Sequence, residues 1–533
     1  MEISKNDLIA ILFRFNPWWK GEVIKDLSKW KRAIFNELFR WTYSAPVHRA
    51  VFLSGARQVG KTTLIRQTIQ KLLKQNIPPN NILYATFDHP MIKLVGIDKI
   101  IEVWFEIEPP SGPIYLFIDE IQFMQDWQVW VKHQIDFNKD RKIIFTGSAV
   151  PLVHKGQESG VGRWHTIPIA TLSFYEYLSF KKSYEQTFII NELGFSDLSE
   201  QEFYDWLKSR VSSQPLAKPV LYLMKEKFQE LISIKNILEN IPDIDSLKTL
   251  FDEKIEFQKL SQLTALIGLF NQYLIKGGFP QTVPLDILEA QSLIREDTVD
   301  KVLKRDLTAF FGVRKFIELE QVFLYLCMND RGILNLEDLA SNLNISRTTA
   351  LNFIELLEAT HLIYRLQKFG YGKDVLRARF KVYLADPAIA PSVLLMGKSI
   401  LTKPDSMGKI VETAIFKHLF LYSEPGSKIN YWKDQKNHEV DLVISYGEHI
   451  IPFEIKYRNQ HNKTKDLSGL MKLCNKYHVK HGYIVTQSMS DFGTFKNHDL
   501  PETEFIKIPA ALLCYWLGKF ESEKSNHKEL QLF

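Results

Sequence analysis

Over the first 170 residues the apolar positions fall into short unbroken runs, and between these runs they return every three or four residues. The runs at 51–53, 114–118 and 143–145 are too short for helices and do not alternate with polar residues. They read as strands buried on both faces. Strands are expected near 51–53, 82–87, 114–118, 143–146 and 165–169, with helices between them. The helix from Thr63 onward turns Leu64, Ile65, Ile69 and Leu72 to one side. Strand–helix alternation predicts an α/β domain whose parallel sheet is covered on both faces.

From 171 to 310 the pattern becomes helical, as in "QKLSQLTALIGLFNQYLI" and "IREDTVDKVLKRDL", and predicts a helical lid on that domain. The stretch "LNLEDLASNLNISRTTALNFIELLEATHLIYRLQKF" offers a helix from Leu336, a turn at Asn344 and a second helix capped by Ser346. Leu351, Ile354 and Leu357 face its core. This is helix-turn-helix spacing with a two-stranded wing behind it.

The last third holds "EVDLVISYGEHIIPFEIKYR", where apolar and polar residues alternate around Gly447-Glu448. A two-residue turn with glycine first fixes the hairpin register. Val440 then faces Ile455, Leu442 faces Phe453 and Ile444 faces Ile451, all on one apolar face. The other face sets Asp441 against Glu454 and Glu439 against Lys456. The expected organisation is an N-terminal helical segment (1–45), the α/β core (46–170), the lid (171–310), the helix-turn-helix unit (311–385) and a C-terminal α/β domain (386–533).

Composition narrows the class. A chain of 533 residues with 45% hydrophobic and 24% charged residues suits a soluble multidomain protein. The net charge of +5 is too mild to argue for a nucleic-acid partner by itself. The three cysteines, Cys327, Cys474 and Cys514, show no metal-ligand spacing, which points to a reducing, cytoplasmic setting. No run reaches the roughly 18 apolar residues of a membrane span, and no secretory leader is read at the start.

The chemistry begins at "GARQVGKTT". Gly55, Ala56, Arg57, Gln58, Val59, Gly60, Lys61, Thr62 and Thr63 cover G-x-x-x-x-G-K-[ST] and one residue beyond. The glycines let backbone N–H groups close around phosphates at a helix N-terminus. Lys61 reaches the β- and γ-phosphates, and the Thr62 hydroxyl ligates magnesium. The strand of "PIYLFIDEIQ" ends in Asp119, for the magnesium shell, and Glu120, placed to activate the attacking water. Ser148, after the strand in "RKIIFTGSAV", is a candidate γ-phosphate sensor. Asp88 reads equally as a coupling residue or a turn former.

Through "FNPWW", "GARQVGKTT", "LFIDEIQ", "IIFTGSA" and "GRWHTIPIATLSFYEYL" the chain resembles a prokaryotic family of AAA+ ATPases related to ORC-like and STAND-like P-loop proteins. The resemblance implies ATP and Mg2+ as cofactors and a homo-oligomer. It makes Arg163 a candidate γ-phosphate arginine donated by a neighbouring subunit, set against an arginine that only packs on Trp164. The resemblance places 16–19 at the adenine side of the pocket; a hydrophobic anchor is the other reading. Gly278 and Pro280 of "LIKGGFPQ" would touch nucleotide from the lid, or simply end a helix.

In the C-terminal hairpin the pattern Asp441-x12-Glu454-x-Lys456 resembles the PD-(D/E)XK nucleases, with Glu412 of "MGKIVETAIFKHLF" supplying the helix acid. The resemblance implies a restriction-endonuclease-like domain in which Glu412, Asp441 and Glu454 hold a metal and Lys456 is catalytic. Opposed acids repel, and a divalent cation would remove that penalty. A Glu439–Lys456 ion pair on a solvated face is the competing reading. DNA is a candidate partner. Six basic residues and one acid lie between Arg365 and Lys381, and Arg347-Thr348-Thr349 open the second helix of the helix-turn-helix. Two functions remain open: an ATP-regulated enzyme that cleaves or remodels DNA, or a nucleotide-driven switch whose nuclease-like domain only binds.

Overall fold

The computed structural model describes residues 4–148, 162–193, 257–307, 315–370, 375, 378–422, 426–457, 467–488 and 491–530. Five strands, β1 Ala50–Gly55, β2 Ile82–Thr86, β3 Ile114–Asp119, β4 Arg141–Gly147 and β5 Trp164–Ile169, form one parallel sheet in the order β5-β1-β4-β3-β2. Every residue of β1 and β3 is buried, as the unbroken apolar runs require when helices cover both faces. Lys61–Lys74 is the first crossover helix. The strand order changes direction between β1 and β4, which opens a crevice at the carboxyl ends of the strands.

The dipeptide Trp18-Trp19 anchors the N-terminal helix rather than lining that crevice. Both indoles donate to the Ile82 carbonyl, at 3.1 and 3.0 Å. Buried Asn16 bonds both backbone groups of Tyr84 in β2, the edge strand. The packing reading therefore holds for this stretch.

Beyond the sheet, Phe316–Met328, Leu336–Asn342 and Arg347–Ala359 are three helices, followed by antiparallel β6 Ile363–Leu366 and β7 Lys381–Leu384. Asn344 takes the left-handed conformation at φ 53°, and Ser346 caps the third helix by accepting from the Thr349 N–H at 3.0 Å. The basic stretch is partly spent inside the protein. Arg365 pairs with Glu358, and Lys381 is buried among acids, which leaves Arg379 exposed and Lys368 half-buried among its described residues.

The C-terminal sheet runs β12-β13-β11-β10-β9-β8, from β8 Lys428–Lys433, β9 Glu439–Tyr446, β10 His449–Lys456, β11 His481–Thr486, β12 Gly493–Asn497 and β13 Leu500–Pro509. Helices Pro404–Tyr422 and Ala510–Leu530 pack on one face and Ser468–Tyr477 on the other. The hairpin has the expected register at its turn, where Gly447 has φ 56° and Leu442 pairs with Phe453. A bulge in β9 opposite Tyr431 then reverses the alternation. Val440 therefore leaves the apolar face of Leu442 and Ile444 and joins Trp432 and Leu470 on the other side. Strict period-two counting fails there because one extra residue flips every position beyond it.

The domains are not beads on a string. Phe279 and residues 294–307 pack beside the P-loop, whereas Leu172, Phe174, Tyr177 and Leu178 pack with Tyr273, Val283 and the C-terminal helices. A wholly buried polar knot joins these parts. Asp386 accepts from Thr171, Gly278 N–H and Lys417, and Lys417 also donates to the Leu172 carbonyl and to Tyr273. Nearly half of the segment expected as a lid, mainly 194–256, lies outside the described residues. No helix among the described residues is long and apolar enough to cross a membrane.

His418 gives this junction a pH dependence. Its Nε2 accepts from the Phe174 N–H at 2.8 Å, so Nδ1, 2.7 Å from the Ala414 carbonyl, must carry the proton. Burial first, and Lys417 second, push its pKa from 6.5 down to about 3. The unfolded chain takes a proton below about 6.5 and the folded chain does not, so this stabilisation is full above that pH and is lost as pH falls toward 3. At pH 5 the loss is about 2 kcal/mol. We expect the thermal midpoint to drop between pH 7 and 5, and His418→Gln to drop less. Equal slopes in the two proteins would refute the assignment.

Candidate functional site

The P-loop connects β1 to the Lys61–Lys74 helix. Gln58 at φ 61° and Gly60 at φ 94° are both left-handed. Alternating left- and right-handed residues turn successive N–H groups inward and make an anion nest. Lys61 is buried, and its Nζ donates to the carbonyls of Gly55 and Ala56 at 2.8 and 2.7 Å. Burial lowers its pKa below the usual lysine value. A buried ammonium that has only neutral hydrogen-bond acceptors among the described residues, beside such a nest, fits the phosphate chain of a nucleotide. Pro280 lies against this loop, its Cγ 4.0 Å from where a Cβ on Gly60 would stand. Gly278 is taken up by its bond to Asp386.

At the end of β3, Asp119 accepts from Thr62 at 2.7 Å, from the Tyr84 hydroxyl at 2.9 Å and from Thr146. Two oxygen ligands side by side suit a magnesium ion with its waters. Glu120, at φ 55°, is a non-glycine residue in the left-handed region, a strain that recurs at active sites. Its N–H bonds Thr146 Oγ1, and Gln122 Nε2 donates both to its carboxylate and, at 3.1 Å, to Ser148. Burial raises the Glu120 pKa, with Lys61 opposing. Lys61, Thr62, Asp119, Glu120 and Ser148 thus converge on one cleft. Arg163 precedes β5 at the opposite, amino edge of the sheet and pairs with Asp136 at 3.3 Å, both side chains partly exposed. Asp88 is exposed just beyond β2.

Residues that sequence reasoning missed hold this cleft from afar. Buried Arg32 donates to the Val59 carbonyl of the P-loop at 3.0 Å, to the Ala170 carbonyl at 2.8 Å and to Glu176. Asp306 takes the Arg57 guanidinium at 2.5 Å. His361, from the three-helix unit, meets Ser54 at 2.8 Å, and burial holds it neutral with a pKa of about 4. None carried a signal, since each is a lone charged or polar residue in a helix or loop.

The C-terminal acids do gather, but around cations of this chain. Lys381 Nζ is 2.6 Å from Glu439, 3.6 Å from Asp441 and 3.9 Å from Glu412. Arg331 also pairs with Glu412, which accepts from the Tyr383 hydroxyl at 2.8 Å. Asp441 Oδ2 accepts the Ile455 N–H at 2.9 Å, a backbone donor the hairpin ladder leaves over. Lys456 pairs with Glu454 at 2.5 Å, not with Glu439. Burial, then Asp441, raises the Glu412 pKa to about 7, and burial raises that of Glu454. Among the described residues no group of three or more His, Cys, Asp or Glu side chains is arranged to hold a metal ion. The predicted ligands Glu412, Asp441 and Glu454 therefore do not fit a metal as they stand. Lys381 and Arg331 supply the positive charge in its place.

Three family models match the chain: an AAA domain over residues 47–178, and two domains of unknown function, DUF8612 over 267–399 and DUF4143 over 407–509. Uncharacterized protein MJ1637 of Methanocaldococcus jannaschii is 23% identical over 406 residues, 75% of this chain and 74% of its own. An uncharacterized protein of Haemophilus influenzae is 23% identical over 438 residues, 80% of this chain and 86% of its own. Among solved structures, C. elegans PCH-2 aligns over 47% of this chain and 65% of its own, just under two thirds, at 16% identity and TM-score 0.23. Aeropyrum pernix ORC1 in complex with DNA aligns over 67% and 89%, at 11% identity and TM-score 0.24. Such scores mark no shared overall arrangement. The family match and the local geometry of the cleft agree with each other: over residues 47–178 the chain carries a P-loop ATPase domain of the AAA type.

Proposed function

We propose that the protein is an ATP-binding and ATP-hydrolysing switch, in which the state of the P-loop sets how the C-terminal domains engage a partner. The observation that carries this reading is the direct bonding of P-loop residues to distant parts of the chain. Arg57 and Gln58 bond residues 297–306, and Ser54 in the preceding strand bonds His361. Lys61 and the loop amides would bind the phosphates, and Thr62 with Asp119 would hold the magnesium ion. Bound magnesium draws charge from the β- and γ-phosphates and so eases attack at phosphorus. Glu120, kept basic by burial, would take the proton of the attacking water while Gln122 and Ser148 fix its position. Arg163 would serve only from a neighbouring subunit of a homo-oligomer.

In this reading the nuclease-like domain binds and does not cut, because its acids are already paired. A second reading, a magnesium-dependent nuclease acting on DNA, is favoured by one observation. The order helix, β8-β9-β10, helix, β11, with β11 parallel to β10, is that of the PD-(D/E)XK core it resembles. In both readings the three helices with β6 and β7 serve as a winged helix, and exposed Arg347 and Thr348 would meet DNA phosphates.

Calorimetric titration with magnesium or manganese, on the parent and on Asp441→Ala/Glu454→Ala, separates the two. The switch reading expects the same metal binding in both proteins, all of it dependent on nucleotide. It also expects no cleavage of supercoiled, linear or single-stranded DNA, with or without ATP. Cleavage that vanishes in the double variant would establish the nuclease.

A further inference from the structure

Two adjacent side chains of the P-loop are held by one segment some 240 residues away. Arg57 Nε and Nη2 each lie 2.5 Å from an Asp306 carboxylate oxygen. Gln58 donates to Asp297 at 3.1 Å and accepts from Thr298 at 3.1 Å. All three partners sit where the helix Ile287–Leu293 widens into π-helical turns over Ile294–Asp300 and Val302–Asp306. Such turns are metastable and recur at functional sites. Asp306 is wholly buried, and its Oδ2 is also 3.5 Å from Ser148 Oγ. Ser148 bonds Gln122, and Gln122 bonds Glu120. An unbroken chain of contacts thus runs from the candidate base to Arg57 through Asp306. Burial opposes the charge of Arg57, but Asp306 and then Glu120 more than offset it.

We infer that Arg57 is a ligand for the terminal phosphate of a nucleoside triphosphate, and that Asp306 holds its guanidinium when no such phosphate is present. The inference rests on the P-loop reading and names what that site distinguishes. Asp306 places a negative charge beside Ser148 and Arg57, at the end of the cleft where the γ-phosphate would lie. A triphosphate brings further negative charge to that end and competes for the same planar fork of donors, which suits carboxylate and phosphate alike. A diphosphate does not reach it, so the Arg57–Asp306 pair persists. The exchange frees the segment 294–307, and nucleotide state is thereby felt outside the ATPase domain. Arg57 would act in cis, which distinguishes it from an arginine donated by a neighbouring subunit.

The test measures binding of ADP and of a non-hydrolysable ATP analogue, each with magnesium, to the full chain by calorimetry. Arg57→Ala is expected to weaken the triphosphate analogue about tenfold or more and ADP less than about threefold. Asp306→Asn, nearly the same shape, is expected to strengthen the analogue several-fold and leave ADP unchanged. Hydrogen exchange across 294–307 in the parent should quicken with the analogue and not with ADP, a readout that needs no variant. Variants that shift both nucleotides equally, or exchange that ignores the γ-phosphate, would overturn the inference while leaving ATP binding intact. A parent that binds neither nucleotide would instead defeat the P-loop reading itself.

Discussion

Lys61→Ala is expected to reduce ATP turnover to background and to weaken ATP binding by about ten- to a hundredfold. The side chain is buried at the mouth of an anion nest, and among the described residues its three donors find only the Gly55 and Ala56 carbonyls as acceptors. Burial without an ion-paired carboxylate destabilises the charge, as its lowered pKa records. A phosphate removes that penalty, so lysine and ligand stabilise each other. A charge-assisted hydrogen bond contributes about 1.5–3 kcal/mol, and its loss falls on bound nucleotide. Because Lys61 sits at the start of a helix whose core face is Leu64, Ile65, Ile69 and Leu72, alanine should leave the fold intact. Thermal unfolding of the variant checks this. Normal turnover in a folded variant would show that the P-loop is not the catalytic centre.

Lys381→Met is expected to destabilise the C-terminal domain by about 3–5 kcal/mol, the usual cost of removing one member of a buried ionic cluster. Lys381 is almost wholly buried, with Glu412, Asp441 and Glu439 around it. Burial works against its ammonium, yet these three acids raise its pKa above the ordinary lysine value. Methionine keeps the length of the stem but leaves the acids facing one another, with Arg331 the remaining cation on Glu412. The urea midpoint of the transition followed by tryptophan fluorescence measures the loss. An unchanged midpoint would mean that Lys381 is not the counter-charge of the cluster. In that event the metal-binding reading of Glu412, Asp441 and Glu454 would regain its force.

These two lysines show how differently the sequence spoke. Lys61 was legible because nucleotide chemistry dictates a fixed local order of glycines, lysine and hydroxyl, and the whole order lies within eight residues. Asp441, Glu454 and Lys456 were legible as a group for a similar reason, since the hairpin register is fixed at its turn, whereas Glu412 joined them only through the resemblance to the PD-(D/E)XK nucleases. Lys381 was read instead as one of six basic residues in a wing. Its actual place follows from β7 lying next to the C-terminal sheet, a contact no spacing along the chain encodes. Asp306 and Arg32 were silent in the same way. An acid in a helix and an arginine in a loop have many uses, and only a partner distant in sequence chooses among them.

By itself, then, the sequence determined the five parallel strands, the P-loop with Asp119 and Glu120, the helix-turn-helix spacing and the turn of the C-terminal hairpin. These rest on periodicity, turn chemistry and short-range motifs, which are local and survive any packing. The tertiary structure alone decided what neutralises the C-terminal acids, which segment grips the P-loop, and where the bulge in β9 sends Val440. Those outcomes depend on desolvation and charge pairing between parts far apart in the chain. Their energies exist only once the domains have met.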